Sequence, residues 1–197
     1  MTLEGRKIGF GVTASFCTVM KVLEPLQMLK DLGADIYPVI SENVSLHSSR
    51  FHDRDSYLQR IRDISGKHEI STIAEAETFG PDKKMDAMVI APVTGNTIAK
   101  LANGITDGAV LMASKATLRN GKPLVLALYT NDALGMNGVN IMRLYNTKNI
   151  FFVPFGQDDP MKKPASMTAD LSLLSKTIEC ALDGKQIQPA VISYEFH

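Results

Sequence analysis

Asp86-Ala87-Met88-Val89-Ile90-Ala91-Pro92-Val93-Thr94-Gly95-Asn96-Thr97 is the stretch that decides the fold. Asp86–Pro92 is a short apolar run, which reads as a buried strand. It breaks at a proline into small and amide-bearing residues, and Thr97–Leu101 begins a helix. A strand buried on both faces needs helices above and below it, so the run predicts a parallel sheet. Runs of the same kind lie on either side, at Lys7–Gly11, Asp35–Ser41, Pro123–Tyr129 and Asn149–Pro154. Between them lie longer amphipathic stretches. Thr18–Leu32 carries Val19, Val22, Leu23, Leu26 and Leu29 at helical spacing. Pro25 is expected to bend or interrupt that helix, and Gly33 to stop it. Pro38 places the second strand at an edge or a bulge. Glu42–Phe51 reads as polar and turn-like. Asp53–Ser65, Ala109–Thr117 (after a break at Gly108) and Met167–Leu182 read as helices.

The prediction is therefore α/β: a three-layer αβα domain with a parallel sheet of Rossmann-like or flavodoxin-like kind and helices on both faces. The 197 residues suit one domain over 1–197, with a core large enough to need no disulfide or metal. Lysine plus arginine and aspartate plus glutamate both number 21, so the formal net charge is zero. Nucleic-acid binders usually carry a basic excess, and none exists here. No apolar run reaches the roughly 18 residues of a membrane span, and Met1–Lys7 lacks a signal-peptide core. Two cysteines, Cys17 and Cys180, are too few for a disulfide framework. The expectation is a cytoplasmic protein with reduced thiols, and the low self-repulsion permits homo-oligomers.

In an open parallel sheet, ligands bind beyond the carboxyl ends of the strands. Three loops stand there. Gly9, Gly11 and Ala14 in Gly9–Ser15 match a GxGxxA dinucleotide fingerprint between a strand and a helix. Small residues let backbone N–H groups approach a phosphate, and Thr13 and Ser15 add hydroxyls suited to a phosphate monoester. An NAD site would want an acidic residue ending the second strand, whereas that strand ends in Ser41, with Glu42 late. The competing reading is a tight turn whose glycines serve packing. The second loop runs from Pro92 through Thr94, Gly95 and Asn96 to Thr97. Asn96 can donate and accept toward a heteroaromatic ring, while Thr94 and Thr97 can cap the helix. The third, Thr130–Asn140, is dense in asparagine and glycine; it is a turn-rich surface loop unless it is functional.

Together these loops resemble the flavoprotein family of homo-oligomeric flavin-containing cysteine decarboxylases and flavin prenyltransferases. The second is similar to that family's Pro-Ala-Ser-Ala-Asn-Thr motif, with Val93, Thr94 and Gly95 substituted and Asn96 and Thr97 matching. Ile98–Asp107 follows the family's continuation closely. Met136-Asn137 is similar to part of its Pro-x-Met-Asn-x-x-Met motif. Phe155–Pro164 (FGQDDPMKKP) is more specific and resembles the B-type chains of dipicolinate synthases, a resemblance that covers nearly the whole chain. It implies an oxidoreductase component that acts with an A-type companion chain in sporulating bacteria. Together they convert a dihydrodipicolinate-level intermediate of the lysine pathway into dipicolinate. NAD(P) is then expected on the companion. FMN is the cofactor implied here, with Gly11, Thr13, Ala14, Ser15 and Ser41 on its phosphate and ribityl side. Pro92, Thr94, Gly95, Asn96, Thr97, Met136 and Asn137 complete the implied site. No metal is implied. The alternatives are a non-catalytic scaffold for the companion with a vestigial flavin site, and an independent FMN enzyme.

One departure bears on mechanism. The cysteine decarboxylases carry a catalytic histidine eight residues before the strand-opening Asp86, and here that position is Thr78. Decarboxylation by that route is not expected. His47 and His52 read as solvated loop residues, and His68 and His197 lie elsewhere. Cys17 reads as packed in the first helical turn. Arg143, Lys162 and Lys163 are candidate partners for substrate carboxylates, against a reading as solvated charges.

Overall fold

The computed structural model describes residues 2–15, 18–48, 53–81 and 85–192. Cys17, His52 and His197 lie outside them. Five parallel strands are built from the apolar runs: β1 (Lys7–Val12), β2 (Asp35–Ile40), β3 (Ala87–Val93), β4 (Leu124–Thr130) and β5 (Ile150–Phe152), in the order β2-β1-β3-β4-β5. Every residue of β3 is buried, as expected for the strand at the middle of the sheet. β2 is the edge strand. Its Ile40 N–H donates outward to Ile70 O at 2.8 Å, so Pro38, two residues earlier, turns its hydrogen-free nitrogen to the same outer side and costs the sheet no bond.

Two short strands were not anticipated. β6 (Phe155–Gly156) and β7 (Met167–Ala169) pair antiparallel, and β7 pairs antiparallel with Tyr129 and Thr130 at the end of β4. The sheet is mostly parallel, with this ribbon continuing the outer edge of β4 where β5 stops. Three-residue strands are too short to show a period, so Met167 read as the start of the last helix.

The helices are α1 (Leu23–Asp31), α2 (Glu42–Leu46), α3 (Arg54–Ser65), α4 (Ile73–Glu77), α5 (Gly95–Ala102), α6 (Ala109–Arg119), α7 (Gly138–Tyr145) and α8 (Leu174–Leu182). α1 packs against α3 and α8; α6 packs against α4 and α5, and α5 against α7. The sheet is sandwiched between these sets, around a core that includes Phe10, Phe79, Phe152 and Phe155.

Three expectations need correction. The first helix is a 3-10 turn, Val19–Val22, followed by α1, with Pro25 in the first turn of α1, where its missing N–H is not needed. Glu42–Phe51 is not all turn: its first five residues form α2, which buries Val44. The terminal helix starts at Leu174. Two helices were also missed. α4 is held by a capping box between Thr72 and Glu75, and α7 takes over the end of the third loop.

α3 is tied to β2's edge by Arg62, whose Nε and Nη2 donate to Glu69 at 2.7 and 2.6 Å. Burial pushes the Glu69 carboxyl up, but the Arg62 hydrogen bonds and charge outweigh it and hold it below its ordinary value of 4.5. A depressed carboxyl stabilises the fold above its unfolded pKa and loses that contribution as pH falls through the folded value. Glu69→Gln is therefore expected to lower stability at neutral pH. The gap to the wild type should close below pH 4.5, measured by urea unfolding across that range.

Candidate functional site

The chain leaves β1 toward β2 on one side and later returns to place β3 on the other. The crevice beyond β1 and β3 is thus the topological switch point of the sheet. Two loops meet there. Thr13 Oγ1 donates to Pro92 O at 2.7 Å, and Thr94 N–H donates to Thr13 Oγ1 at 3.1 Å. Thr13 is buried and its hydroxyl proton is committed to Pro92 O, so it fastens the two loops together while also lining a small cavity with Ser41 and Asn96. The peptide before Pro92 is cis, and Pro92 is buried in β3.

Gly9 and Gly11 also depart from the fingerprint expectation. Both lie inside β1, and α1 begins only at Leu23. A Cβ on Gly9 would stand 2.6 Å from Met88 Sδ and 2.9 Å from Phe79 Cε2. One on Gly11 would stand 2.9 Å from Met88 Cε and 3.1 Å from Val110 Cγ1. These glycines admit core side chains, which is the packing reading.

Beyond the turns lie two cavities that share Asn96. The larger, a cleft of about 790 Å3, is lined by Ala14, Ser15, Thr94, Gly95 and Asn96 from the two loops and by Tyr129–Asp132 from the end of β4. The smaller, about 110 Å3, lies between Ser41, the first turn of α5 (Asn96, Thr97) and the start of α6 (Gly108, Ala109, Val110). Helix N-terminal turns leave backbone N–H groups without intrahelical partners. Ser41 Oγ is buried and has no hydrogen-bond partner among the described residues. Thr94 stands at the N-cap of α5 but makes no side-chain cap; its hydroxyl meets Thr97 Oγ1 at 3.2 Å.

The third loop braces the cleft. Asp132 accepts hydrogen bonds from Thr130 Oγ1 and from Asn137 Nδ2, the latter at 2.7 Å, and Asn140 Nδ2 donates to Asn137 Oδ1 at 3.0 Å. Gly95 packs onto this network so closely that a Cβ would lie 2.6 Å from Thr130 Oγ1 and 2.7 Å from Asn137 Nδ2. Asn137 is thus occupied in bracing, and Met136 is 86% exposed and lines neither cavity, so neither side chain faces the cleft as expected.

Sequence reasoning missed Lys21, Tyr129 and Asp132, which all line the cleft. Lys21 reads as the solvent face of a helix, and Tyr129 as the end of a buried strand. Tyr129 Oη donates to Ala169 O at 2.9 Å, and burial together with the charges of Asp170 and Asp158 pushes its pKa up to about 12. It stays protonated at neutral pH. Lys163 lines the cleft and pairs with Asp158 at 3.2 Å. Burial raises the Asp158 carboxyl, but hydrogen bonds from Ser166 and Lys163 outweigh it and hold it low. Lys162 is exposed and outside the cleft. Arg143 is outside it too: its Nη1 donates to Ala102 O and Asn103 Oδ1, both at 3.3 Å, tying α7 to the end of α5. Thr78 donates to Glu75 O at 2.6 Å at the end of α4, and His47 and His68 are exposed. No cluster among the described residues has the makings of a metal centre, and no helix among them is long and apolar enough to cross a membrane.

Comparison with known proteins matches this geometry to one family. The flavoprotein family profile matches residues 1–173. The chain is 51% identical over 191 residues to the dipicolinate synthase B subunit of Bacillus subtilis (strain 168), covering 97% of this chain and 96% of that protein. The crystal structure of the dipicolinate synthase B subunit from Bacillus halodurans C superposes with a TM-score of 0.91 at 47% identity, covering 98% of this chain and 99% of that one. The FMN-dependent cysteine decarboxylase SpaF, at 19% identity and a TM-score of 0.67 over 92% of this chain and 99% of its own, shares the fold. The chain belongs to the flavoprotein family, in the branch of the dipicolinate synthase B subunits.

Proposed function

We propose that the chain works as one half of a two-component dipicolinate synthase, binding FMN and holding a dicarboxylate substrate at the switch-point cleft. The observation that carries the proposal is the similarity to a dipicolinate synthase B subunit over 97% of this chain and 96% of that protein. The test is dipicolinate formation by the chain alone, by its A-type companion alone and by both. Full activity of the companion alone would falsify a shared reaction.

FMN suits the donors present. The orphaned Ser41 hydroxyl and the first turns of α5 and α6 offer neutral donors to a phosphate monoester. Lys100 also lines the small cavity, where its charge is paired with Asp107 at 2.7 Å. Asn96, common to both cavities, would hold the ribityl side of the cofactor, and the larger cleft has the volume of a cofactor site. When bound, FMN supplies a ring that can accept or return a hydride. The chain's own residues then bind and orient. Tyr129, protonated and tied to Ala169 O, walls the cleft rather than moving a proton. Asp132 stays fixed by Thr130 and Asn137. Lys21 offers an ammonium group to a substrate carboxylate, while Lys163 is already paired with Asp158. Lys21→Ala is expected to raise KM about five- to tenfold with little change in kcat, the pattern of lost uniform binding; steady-state kinetics of the two-component enzyme check it. The scaffold reading draws on Thr13, whose hydroxyl proton is committed to Pro92 O and so is not offered to a ligand. An FMN-dependent rise in melting temperature separates the two readings.

In this proposal copies of the chain also associate. Leu134, Met136, Val139 and Met142 are 56, 86, 65 and 48% exposed, on α7 and the loop before it. This face carries no charge among those four residues and adjoins the cleft through Asn131 and Asp132, so a second copy would cover apolar surface and shelter the cleft together. Met136→Glu with Val139→Glu is expected to reduce the particle mass by light scattering to that of a single chain.

A further inference from the structure

A furrow runs from the cleft along α1 to the far side of the molecule. Lys21 and Tyr129 line both the cleft and a second hollow of about 430 Å3 between α1 and Ala169–Ser172. Glu24 and Met28 line both that hollow and a groove of about 620 Å3 between α1 and α3. The three are therefore one continuous surface. Its floor is apolar where the helices meet, with Met20, Leu23, Met28 and Ile64, and Met28 is 40% exposed.

Its rim is acidic. Glu24, Asp31 and Asp63 line the groove, all three are exposed, and none forms an ion pair among the described residues. Asp31 and Asp63 are held instead by neutral amides, Gln27 and Gln59, at 2.8 and 2.7 Å. Asp170 adds a further carboxylate in the second hollow, and the cations along the furrow are Lys21 and Arg60. A chain of zero net charge has here concentrated unneutralised carboxylates around an exposed methionine and a half-buried isoleucine.

We infer that this furrow is the seat of the A-type companion, which presents a basic amphipathic segment: apolar side chains onto Met28 and Ile64, lysine or arginine onto Glu24, Asp31 and Asp63. The inference rests on the proposal that such a companion takes part in the reaction. A symmetric contact between two copies of this chain through the furrow would set the same carboxylates against each other, whereas one through Leu134, Met136, Val139 and Met142 brings no carboxylates together. The furrow also opens into the cleft at Lys21 and Tyr129, so a companion seated in it would stand beside whatever the cleft binds.

The test is the association of the full-length companion with this chain, by calorimetry at low and high salt. The wild-type complex should weaken with salt. The triple variant Glu24→Lys/Asp31→Lys/Asp63→Lys should bind about tenfold more weakly or worse and lose most of that salt dependence. The neutral triple variant Glu24→Gln/Asp31→Asn/Asp63→Asn should fall between, and guards against a fold damaged by charge reversal. The FMN-induced melting shift of both should match the wild type. Wild-type affinity for the companion in both variants overturns the inference and leaves the shared reaction standing. A changed self-association with companion binding intact also overturns it, assigning the furrow to a second copy. No binding of the companion to the wild-type chain overturns both.

Discussion

Ser41→Ala should leave the chain as stable without ligand as the wild type, or more so, while weakening FMN binding about ten- to a hundredfold. The two halves of that result come from one atom. Ser41 follows β2 at the N-cap of α2, with its backbone N–H donated to Val12 O at 3.0 Å and its carbonyl accepting from Val44 and Ser45 of α2. The backbone position is therefore independent of the side chain. The hydroxyl itself is buried without a partner. A buried polar group without a partner costs about 1–3 kcal/mol, so removing it relieves a penalty rather than breaking a bond. A phosphate oxygen in the small cavity would accept that hydroxyl proton, and hydrogen bonds to charged groups are worth about 1.5–3 kcal/mol. Thermal unfolding with and without FMN, together with a fluorescence titration, measures both halves. An unchanged FMN affinity would remove Ser41 from the site. Reduced ligand-free stability would mean that the hydroxyl is already satisfied.

The legibility of the site followed the length scale of the pattern behind each part. β3 and β4 are long apolar runs with helices after them, so the sheet, its parallel sense and the strand-end loops could be read directly. Ser41, Ala14, Ser15 and Asn96 line the two cavities where they were expected to stand, because a strand end fixes where a following residue must stand. The face toward which a residue turns was not legible. Thr13 and Asn137 have the right chemistry for a ligand, yet tertiary contacts with Pro92 and Asp132 claim them. Lys21 is hidden in the opposite way: helical spacing assigns it to solvent, and only the ribbon of β6 and β7, too short to announce itself, folds over to make that solvent face a wall of the cleft. The α1–α3 groove had no sequence signal, because Glu24, Asp31 and Asp63 come from two helices and look like ordinary solvated charges until their neighbours are known.

Gly9→Val should destabilise the fold by about 3 kcal/mol or more, beyond the usual cost of overpacking a core by a methylene or two. Gly9 pairs with Tyr37 of β2 on one side and Met88 of β3 on the other, so its backbone cannot retreat. Its missing side chain is replaced by Met88 Sδ and the Phe79 ring edge, at 2.6 and 2.9 Å from where a Cβ would stand. Met88 is a flexible thioether and can swing; Phe79 is fully buried and its ring meets Tyr37 edge to face at 6.2 Å, so it has little room to yield. Gly9→Ala should accordingly cost about 2 kcal/mol. Combined with Met88→Ala, it should cost less than the sum of the two changes, with a coupling of about 1 kcal/mol or more, because the new methyl enters the space the thioether leaves. Chemical denaturation of the four proteins in this cycle measures the coupling. The outcome decides what the glycines of β1 are for. In a dinucleotide fingerprint they admit a phosphate, so a substitution would weaken the ligand, spare the fold and ignore Met88. Here the same spacing lets a strand lie close beneath methionine and phenylalanine, and in the proposed reading a ligand's anion would be left to Ser41 and the helix ends.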